Sequence, residues 1–144
     1  MLMRHFLFIV TLFCSLILYA EDQKEYAFKG VHFMADYCSC DEKALTNVKM
    51  LKEAMLDAAK ASGATVLDVV DYLFPPDGLT MVILLSESHA SIHTYPEHGS
   101  CFVDLFTCGD HCSYEGFDAT LRAYLKPEQA AQKILIRSQN IEDK

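Results

Sequence analysis

Thr65-Val66-Leu67-Asp68-Val69-Val70-Asp71-Tyr72-Leu73-Phe74-Pro75-Pro76-Asp77-Gly78-Leu79-Thr80-Met81-Val82-Ile83-Leu84-Leu85 is the stretch that decides the fold. Thr65 to Tyr72 is β-branched and apolar, the composition of a strand. It runs into Phe74-Pro75-Pro76-Asp77-Gly78, where two prolines without an amide hydrogen and an Asp-Gly pair force the chain to turn. Leu79 to Leu85 then returns as a second strand, antiparallel to the first.

Upstream of this hairpin, Gly30 to Tyr37 reads as a short strand rich in aromatic residues. Asp41 is placed to cap a helix from Ala44 to Ala61, whose apolar positions Val48, Leu51, Met55, Ala58 and Ala59 recur at helical spacing, and Gly63 closes it. Downstream, Ala90 to Tyr95 and Cys101 to Thr107 form a second strand pair around Pro96-Glu97-His98-Gly99. Tyr114, Phe117, Leu121 and Tyr124 mark another helical face, and Lys133 to Arg137 a last strand. The order strand, helix, strand, strand occurs first, and strand, strand, helix, strand follows. It predicts an α+β fold, a two-layer α/β sandwich whose antiparallel sheet has both helices packed on one face.

With 144 residues, 51% of them apolar and 22% charged, the chain suits one domain with one core. The domain is expected over residues 26–138. Twelve Lys and Arg against twenty Asp and Glu give a formal charge of -8, which excludes nucleic acid as a partner because phosphate backbones require a concentrated basic face. Arg4 followed by the apolar run from Phe6 to Ala20 has the layout of a signal peptide over residues 1–20, with an uncleaved membrane anchor as the alternative. Localisation stays open at this point. Of the six cysteines, five (Cys38, Cys40, Cys101, Cys108 and Cys112) remain after removal of such a signal. An odd number cannot all pair, so at least one thiol is available for chemistry or for another chain.

The segment Ser86-Glu87-Ser88-His89-Ala90-Ser91-Ile92-His93-Thr94-Tyr95-Pro96-Glu97 interrupts an apolar pattern with hydroxyls, imidazoles and carboxylates. Buried polar groups are costly unless partnered, so their concentration between strands asks for a functional reason. A second such cluster, Phe106-Thr107-Cys108-Gly109-Asp110, ends the strand that follows.

These two clusters resemble the processing region of bacterial S-adenosylmethionine decarboxylases, a family that reads roughly Glu-Ser-His-x-Ser-Ile-His-Thr-Trp-Pro-Glu followed by Phe-Thr-Cys-Gly. Glu87 to Glu97 match with Tyr95 in place of Trp, and Phe106 to Gly109 match at the expected spacing. More weakly, the resemblance extends from Gly30 to Arg137. It implies a proenzyme that cuts itself between Glu87 and Ser88, with Ser88 converted to a pyruvoyl group, the covalent cofactor that forms a Schiff base with the substrate. His93 falls at the position of the processing base and Cys108 at that of the proton donor. Glu87 is the cleavage-site partner, and Thr80 stands where the family has a serine that assists processing. Phe74 falls at an adenine-stacking position, Glu97 at a ribose-binding carboxylate, and Phe28 offers a second stacking face. The implied substrate is S-adenosylmethionine, the implied pathway is spermidine synthesis, and the implied assembly is a homodimer of processed chains.

Some positions depart from the family pattern. Asp71-Tyr72-Leu73 replaces an imidazole and a cation before Phe74, and Asp110-His111-Cys112-Ser113-Tyr114 replaces the usual acidic-Pro-Trp entry to the second helix. The export layout also sits apart from a family whose substrate is made in the cytoplasm. Two alternatives follow. One is a pyruvoyl-dependent ornithine or arginine decarboxylase on the same scaffold. The other is an exported, non-catalytic metal-binding module using Cys38-x-Cys40 and His111-Cys112, although neither spacing is that of a closed zinc site.

Overall fold

The computed structural model describes residues 28–138. The signal or anchor expected over residues 1–20 lies outside them. Six strands form one antiparallel sheet: β1 (Lys29–Cys38), β2 (Val66–Phe74), β3 (Gly78–Leu85), β4 (Ser88–Tyr95), β5 (Ser100–Thr107) and β6 (Gln129–Ser138), in the spatial order β2-β3-β4-β5-β1-β6. Among the described residues, three α-helices accompany it, α1 (Glu42–Thr46), α2 (Val48–Ala61) and α3 (Tyr114–Leu125), with one 3-10 turn at Pro96–His98. The two-layer α+β sandwich expected from the element order is the fold observed.

Strand alternation sets the core. Leu79, Met81, Ile83 and Leu85 of β3 are buried, as are Ala90 and Ile92 of β4, Cys101, Val103 and Leu105 of β5, and Phe33, Ala35 and Tyr37 of β1. They meet Leu51, Met55 and Ala58 of α2 and Phe117, Leu121 and Leu125 of α3, all withdrawn from solvent. Each fully buried Leu, Ile, Phe or Met side chain contributes roughly 1.5–3 kcal/mol by leaving water, so one face of the sheet drives folding. The helices approach closely where α3 has Gly116, since a Cβ there would come within 2.2 Å of the Ala61 carbonyl oxygen. Tyr37 donates its hydroxyl proton to Asp118 beneath α3, and burial first, then this carboxylate, pushes its pKa upward.

Among the described residues, no helix covers the opposite face of the sheet. The register places Val70, Val82 and Ser91 in one row across it, and Leu84, His89, Phe106, His32 and Leu135 in another. Several of these apolar residues are substantially exposed, among them Val70 at 67%, Leu84 at 51% and Leu135 at 45%.

Three element boundaries differ from expectation. The single helix expected from Ala44 to Ala61 is two helices, because the chain leaves helical geometry at Asn47, whose side chain caps α2 by accepting from the Met50 amide at 3.2 Å. Asn favours this role over a helix interior because its short amide competes for backbone groups. Asp41 caps α1 through the Ala44 amide at 3.0 Å, as read from sequence. β4 begins at Ser88, and β6 runs from Gln129 to Ser138, beyond the expected Lys133 to Arg137, because it pairs with the whole of β1. Pairing with a neighbouring strand overrides the weak strand propensity of Gln129-Ala130-Ala131-Gln132.

Candidate active site

The site is built from the turn joining β3 to β4. Ser86 donates its amide to the Thr65 carbonyl at 2.9 Å, tying the turn to the entry of β2. Glu87 is 5% exposed, and its carboxylate accepts from the Thr65 amide at 2.9 Å and lies 3.3 Å from Nε2 of His111. Burial raises the Glu87 pKa, but hydrogen bonds from the Thr65 amide and its own amide, with the His111 interaction, outweigh it and leave the carboxyl below its usual value. Glu87 is therefore an anchored, ionised side chain immediately before Ser88.

Ser88 has φ of 148°, a conformation that side chains other than hydrogen rarely adopt. Holding it there costs on the order of 1–3 kcal/mol, which the flanking pairs of Ser88 with Leu85 and Thr107 sustain. Its hydroxyl oxygen lies 3.0 Å from Nδ1 of His89. The carbonyl oxygen of Glu87 accepts the Cys108 amide at 3.0 Å. A nucleophile-bearing residue in a strained backbone thus follows a carbonyl already aligned with an N–H donor.

The Cys108 sulfur lies near Gly30, where a Cβ would approach it at 3.2 Å and would sit 2.4 Å from Cε2 of Phe106. Phe106 packs between His32 and His89, at centroid distances of 5.6 and 5.8 Å, and the Arg137 guanidinium lies 4.6 Å from its centroid. Phe28, 75% exposed, precedes β1 at this same end of the sheet.

His93 is elsewhere. It lies five residues along β4 from Ser88, and at a strand rise near 3.3 Å per residue about 16 Å separates the two. Its Nδ1 is 2.5 Å from the Thr80 hydroxyl, its strand-paired neighbour. Phe74 and Tyr95 flank the imidazole edge-on, at 5.8 and 4.6 Å between centroids. His93, Phe74 and Tyr95 border a cleft of about 650 Å³ that also takes in Glu97, Thr46 and the Pro75-Pro76 turn.

Each sequence-selected residue thus belongs to one of two groups on the same sheet. Ser88, Glu87, Cys108 and Phe28 gather at one end, and His93, Thr80, Phe74 and Glu97 at the other. Sequence reading gave no role to His89, the Ser88 partner, although the motif contains it. Nor did it find Thr65, a backbone donor with no side-chain signature. Cys38-x-Cys40 and His111-Cys112 do not form one metal centre. The Cys40 amide donates to the Gly99 carbonyl at 2.9 Å, just before β5, whereas His111 and Cys112 lie beyond the far end of that strand, about 20 Å away over six strand residues. None of the described cysteines is joined in a disulfide.

A profile of the family described as S-adenosylmethionine decarboxylase matches residues 31–138. The S-adenosylmethionine decarboxylase proenzyme of Brevibacillus brevis is 42% identical over 113 residues, covering 78% of this chain and 85% of that protein. The proenzyme of the same name from Methanococcus maripaludis is 40% identical over 100 residues, 69% of this chain and 82% of that one. Among solved structures, the adenosylmethionine decarboxylase of Aquifex aeolicus superposes with a TM-score of 0.73 at 32% identity, covering 82% of this chain and 98% of that one. With the match spanning both strand pairs and both site clusters, the chain belongs to the S-adenosylmethionine decarboxylase family.

Proposed function

We propose that this chain is a proenzyme that cleaves itself between Glu87 and Ser88 and then converts S-adenosylmethionine to S-adenosylmethioninamine and carbon dioxide for spermidine synthesis. The reading rests first on the Glu87-Ser88 junction: positive φ at Ser88, and a Glu87 carbonyl held by the Cys108 amide at 3.0 Å. Attack of the Ser88 hydroxyl oxygen on the Glu87 carbonyl carbon moves negative charge onto that oxygen, where a fixed N–H donor is most effective. The C–N bond then breaks, leaving an ester and a free amine on residue 88. Removal of the Ser88 α-proton breaks the Cβ–Oγ bond, expels the main-chain carboxylate of Glu87 as the new C-terminus and leaves dehydroalanine, which water hydrolyses to a pyruvoyl group with loss of ammonia. His93 is the base. In the tautomer whose Nδ1–H donates to Thr80, its Nε2 keeps a lone pair for that proton.

The pyruvoyl group supplies an electron sink for the charge left when carbon dioxide departs. Cys108 delivers the proton that replaces the carboxylate. The Phe74 ring stacks the adenine, Glu97 accepts the ribose hydroxyls, and Phe28 provides a second aromatic face. Ornithine and arginine lack the nucleoside that this pair would hold, and the relatives above carry the name of the S-adenosylmethionine enzyme.

A homodimer completes this site. His93 acts on Ser88 yet lies about 16 Å from it in one chain. Packing the open sheet faces of two copies with opposed strand directions brings the His93 end of one toward the Ser88 end of the other. The exposed Val70, Leu84 and Leu135 on that face favour such sheet-on-sheet burial.

Denaturing intact mass with and without a carbonyl-trapping reagent tests the reading. We expect two fragments, the downstream one captured by the reagent, and a single uncaptured chain for Ser88→Ala. Release of carbon dioxide from S-adenosylmethionine by the wild-type protein completes it. A wild-type chain that stays whole removes the proposal.

A further inference from the structure

One side-chain cluster beside the cut has no part in the chemistry above. The carboxylate of Glu87, the imidazole of His111 and the thiol of Cys112 bring their ligand atoms within 4.8 Å of one another. The Glu87 and His111 atoms are already 3.3 Å apart, and ligand atoms around a tetrahedral zinc, bonded at 2.0–2.3 Å, lie roughly 3.3–3.8 Å apart. The three side chains close around the Cα of Gly109. A Cβ there would meet Cγ of Glu87 at 3.0 Å, Cε1 of His111 at 3.0 Å and the sulfur of Cys112 at 3.2 Å. The concavity exists because this residue has no side chain.

The backbone that presents the ligands is braced independently of any ion. The Cys112 amide donates to the Gly109 carbonyl at 3.0 Å, and the Ser113 amide to the Ser62 carbonyl at 2.9 Å. The His111 carbonyl oxygen abuts Gly63, 3.0 Å from where a Cβ would stand. Glu87 is 5% exposed and fixed by the Thr65 amide, so little ordering remains for metal binding to impose. A carboxylate, an imidazole and a thiolate form a borderline-soft set, suited to zinc and poorly suited to magnesium or calcium, which demand oxygen. One carboxylate and one thiolate balance the charge of a divalent cation, as a half-buried site requires.

We propose that Glu87, His111 and Cys112 form a binding site for a divalent transition metal of the zinc class, which staples the chain on either side of the Glu87-Ser88 junction. On binding, the cation displaces the proton of the Cys112 thiol to solvent and takes the neutral imidazole of His111 through Nε2, its single ring proton residing on Nδ1, and water takes the fourth position. Glu87 lies upstream of the cut and the other two ligands downstream. After cleavage the metal therefore holds the new C-terminus to the fragment that begins at residue 88. This stapling rests on the self-cleavage reading, whereas the binding itself does not.

Zinc and cobalt(II) titrated into the reduced full-length protein, with cobalt–thiolate absorption and bound metal after dialysis as readouts, test the site. We expect one ion per chain, the thiolate band in the wild type and in uncleavable Ser88→Ala, and retention of both in Cys108→Ser. Because loss of groups merely supporting a metal costs about 10–100-fold in affinity, His111→Ala and Cys112→Ser should each weaken binding at least about tenfold. In the cleaved protein, zinc should raise the unfolding temperature above that in chelator, and Cys112→Ser should abolish the rise. Absence of a thiolate band in the wild type, or affinity unchanged in both ligand variants, overturns the site. Binding in Ser88→Ala with no cleavage of the wild type leaves the metal site standing and removes only the staple.

Discussion

Replacing Gly30 with alanine inserts one methyl group where the structure has no room for it. The new carbon would stand 2.4 and 2.6 Å from the Phe106 ring edge and 3.2 Å from the Cys108 sulfur. Any shift of the ring must also displace the Arg137 guanidinium over it and the His32 and His89 rings that lean on it. Overpacking of this kind costs about 1–3 kcal/mol. Phe106 is only half-buried and can yield toward the open face, so we expect the lower half of that range, about 1–2 kcal/mol, as lost stability in urea. Motion of the ring also disturbs His89, whose Nδ1 is 3.0 Å from the Ser88 hydroxyl. Loss of one such neutral hydrogen bond is worth about 0.5–1.5 kcal/mol, or roughly a two- to tenfold slower self-cleavage by intact mass over time. The double variant Gly30→Ala with Phe106→Leu should recover part of both effects, since the shorter side chain vacates the space the methyl enters. Unchanged stability together with unchanged cleavage in Gly30→Ala would refute the claim that this glycine sets the position of the ring and, through it, of His89.

Three other outcomes are expected. If two copies share each site, co-folding Ser88→Ala chains with His93→Ala chains restores cleavage of the His93→Ala chain, because its Ser88 then meets an intact partner imidazole. Recovery absent from verified mixed dimers counts against a shared site. Glu87 has a folded pKa below its unfolded value of about 4.3, so its ionised form contributes stability that is complete above that value and lost as pH falls through the folded one. In a Ser88→Ala background, Glu87→Gln should therefore unfold more readily than Glu87 near neutrality, with the gap closing as the solution becomes more acidic than about pH 4. A gap that widens in acid contradicts the assignment. Gly116→Ala drives a methyl group to 2.2 Å from the Ala61 carbonyl oxygen, and since backbone cannot rotate away, α2 and α3 must separate. Overpacking against fixed backbone predicts a loss of about 3 kcal/mol in denaturant titration, and native stability would contradict the close helix approach.

Local chemistry was enough to define most of the elements. The Pro75-Pro76-Asp77-Gly78 turn leaves the chain no path but reversal, and the apolar spacing of Leu51, Met55 and Ala58 belongs to a helix wherever it is placed. The motif residues from Glu87 to Glu97 and from Phe106 to Gly109 could likewise be singled out one by one, since their polarity conflicts with the apolar strands around them. The helix break at Asn47 was less legible, because an apolar period continues across it while one amide side chain decides the cap. The full extent of β6 depends on β1 and not on its own residues.

Sequence alone thus determined which residues are chemically unusual and in what order the strands and helices occur, because those follow from neighbours along the chain. Tertiary structure decided their grouping. Sheet pairing sends Ser88 and His93 to opposite ends of one strand while bringing Cys108, twenty residues on, into contact with the Glu87 carbonyl. It also folds Thr65 and His111 onto the Glu87 carboxylate, from 22 and 24 residues away. A strand advances about 3.3 Å with each residue, so closeness in sequence becomes distance along it, and only the lateral pairing of strands restores proximity.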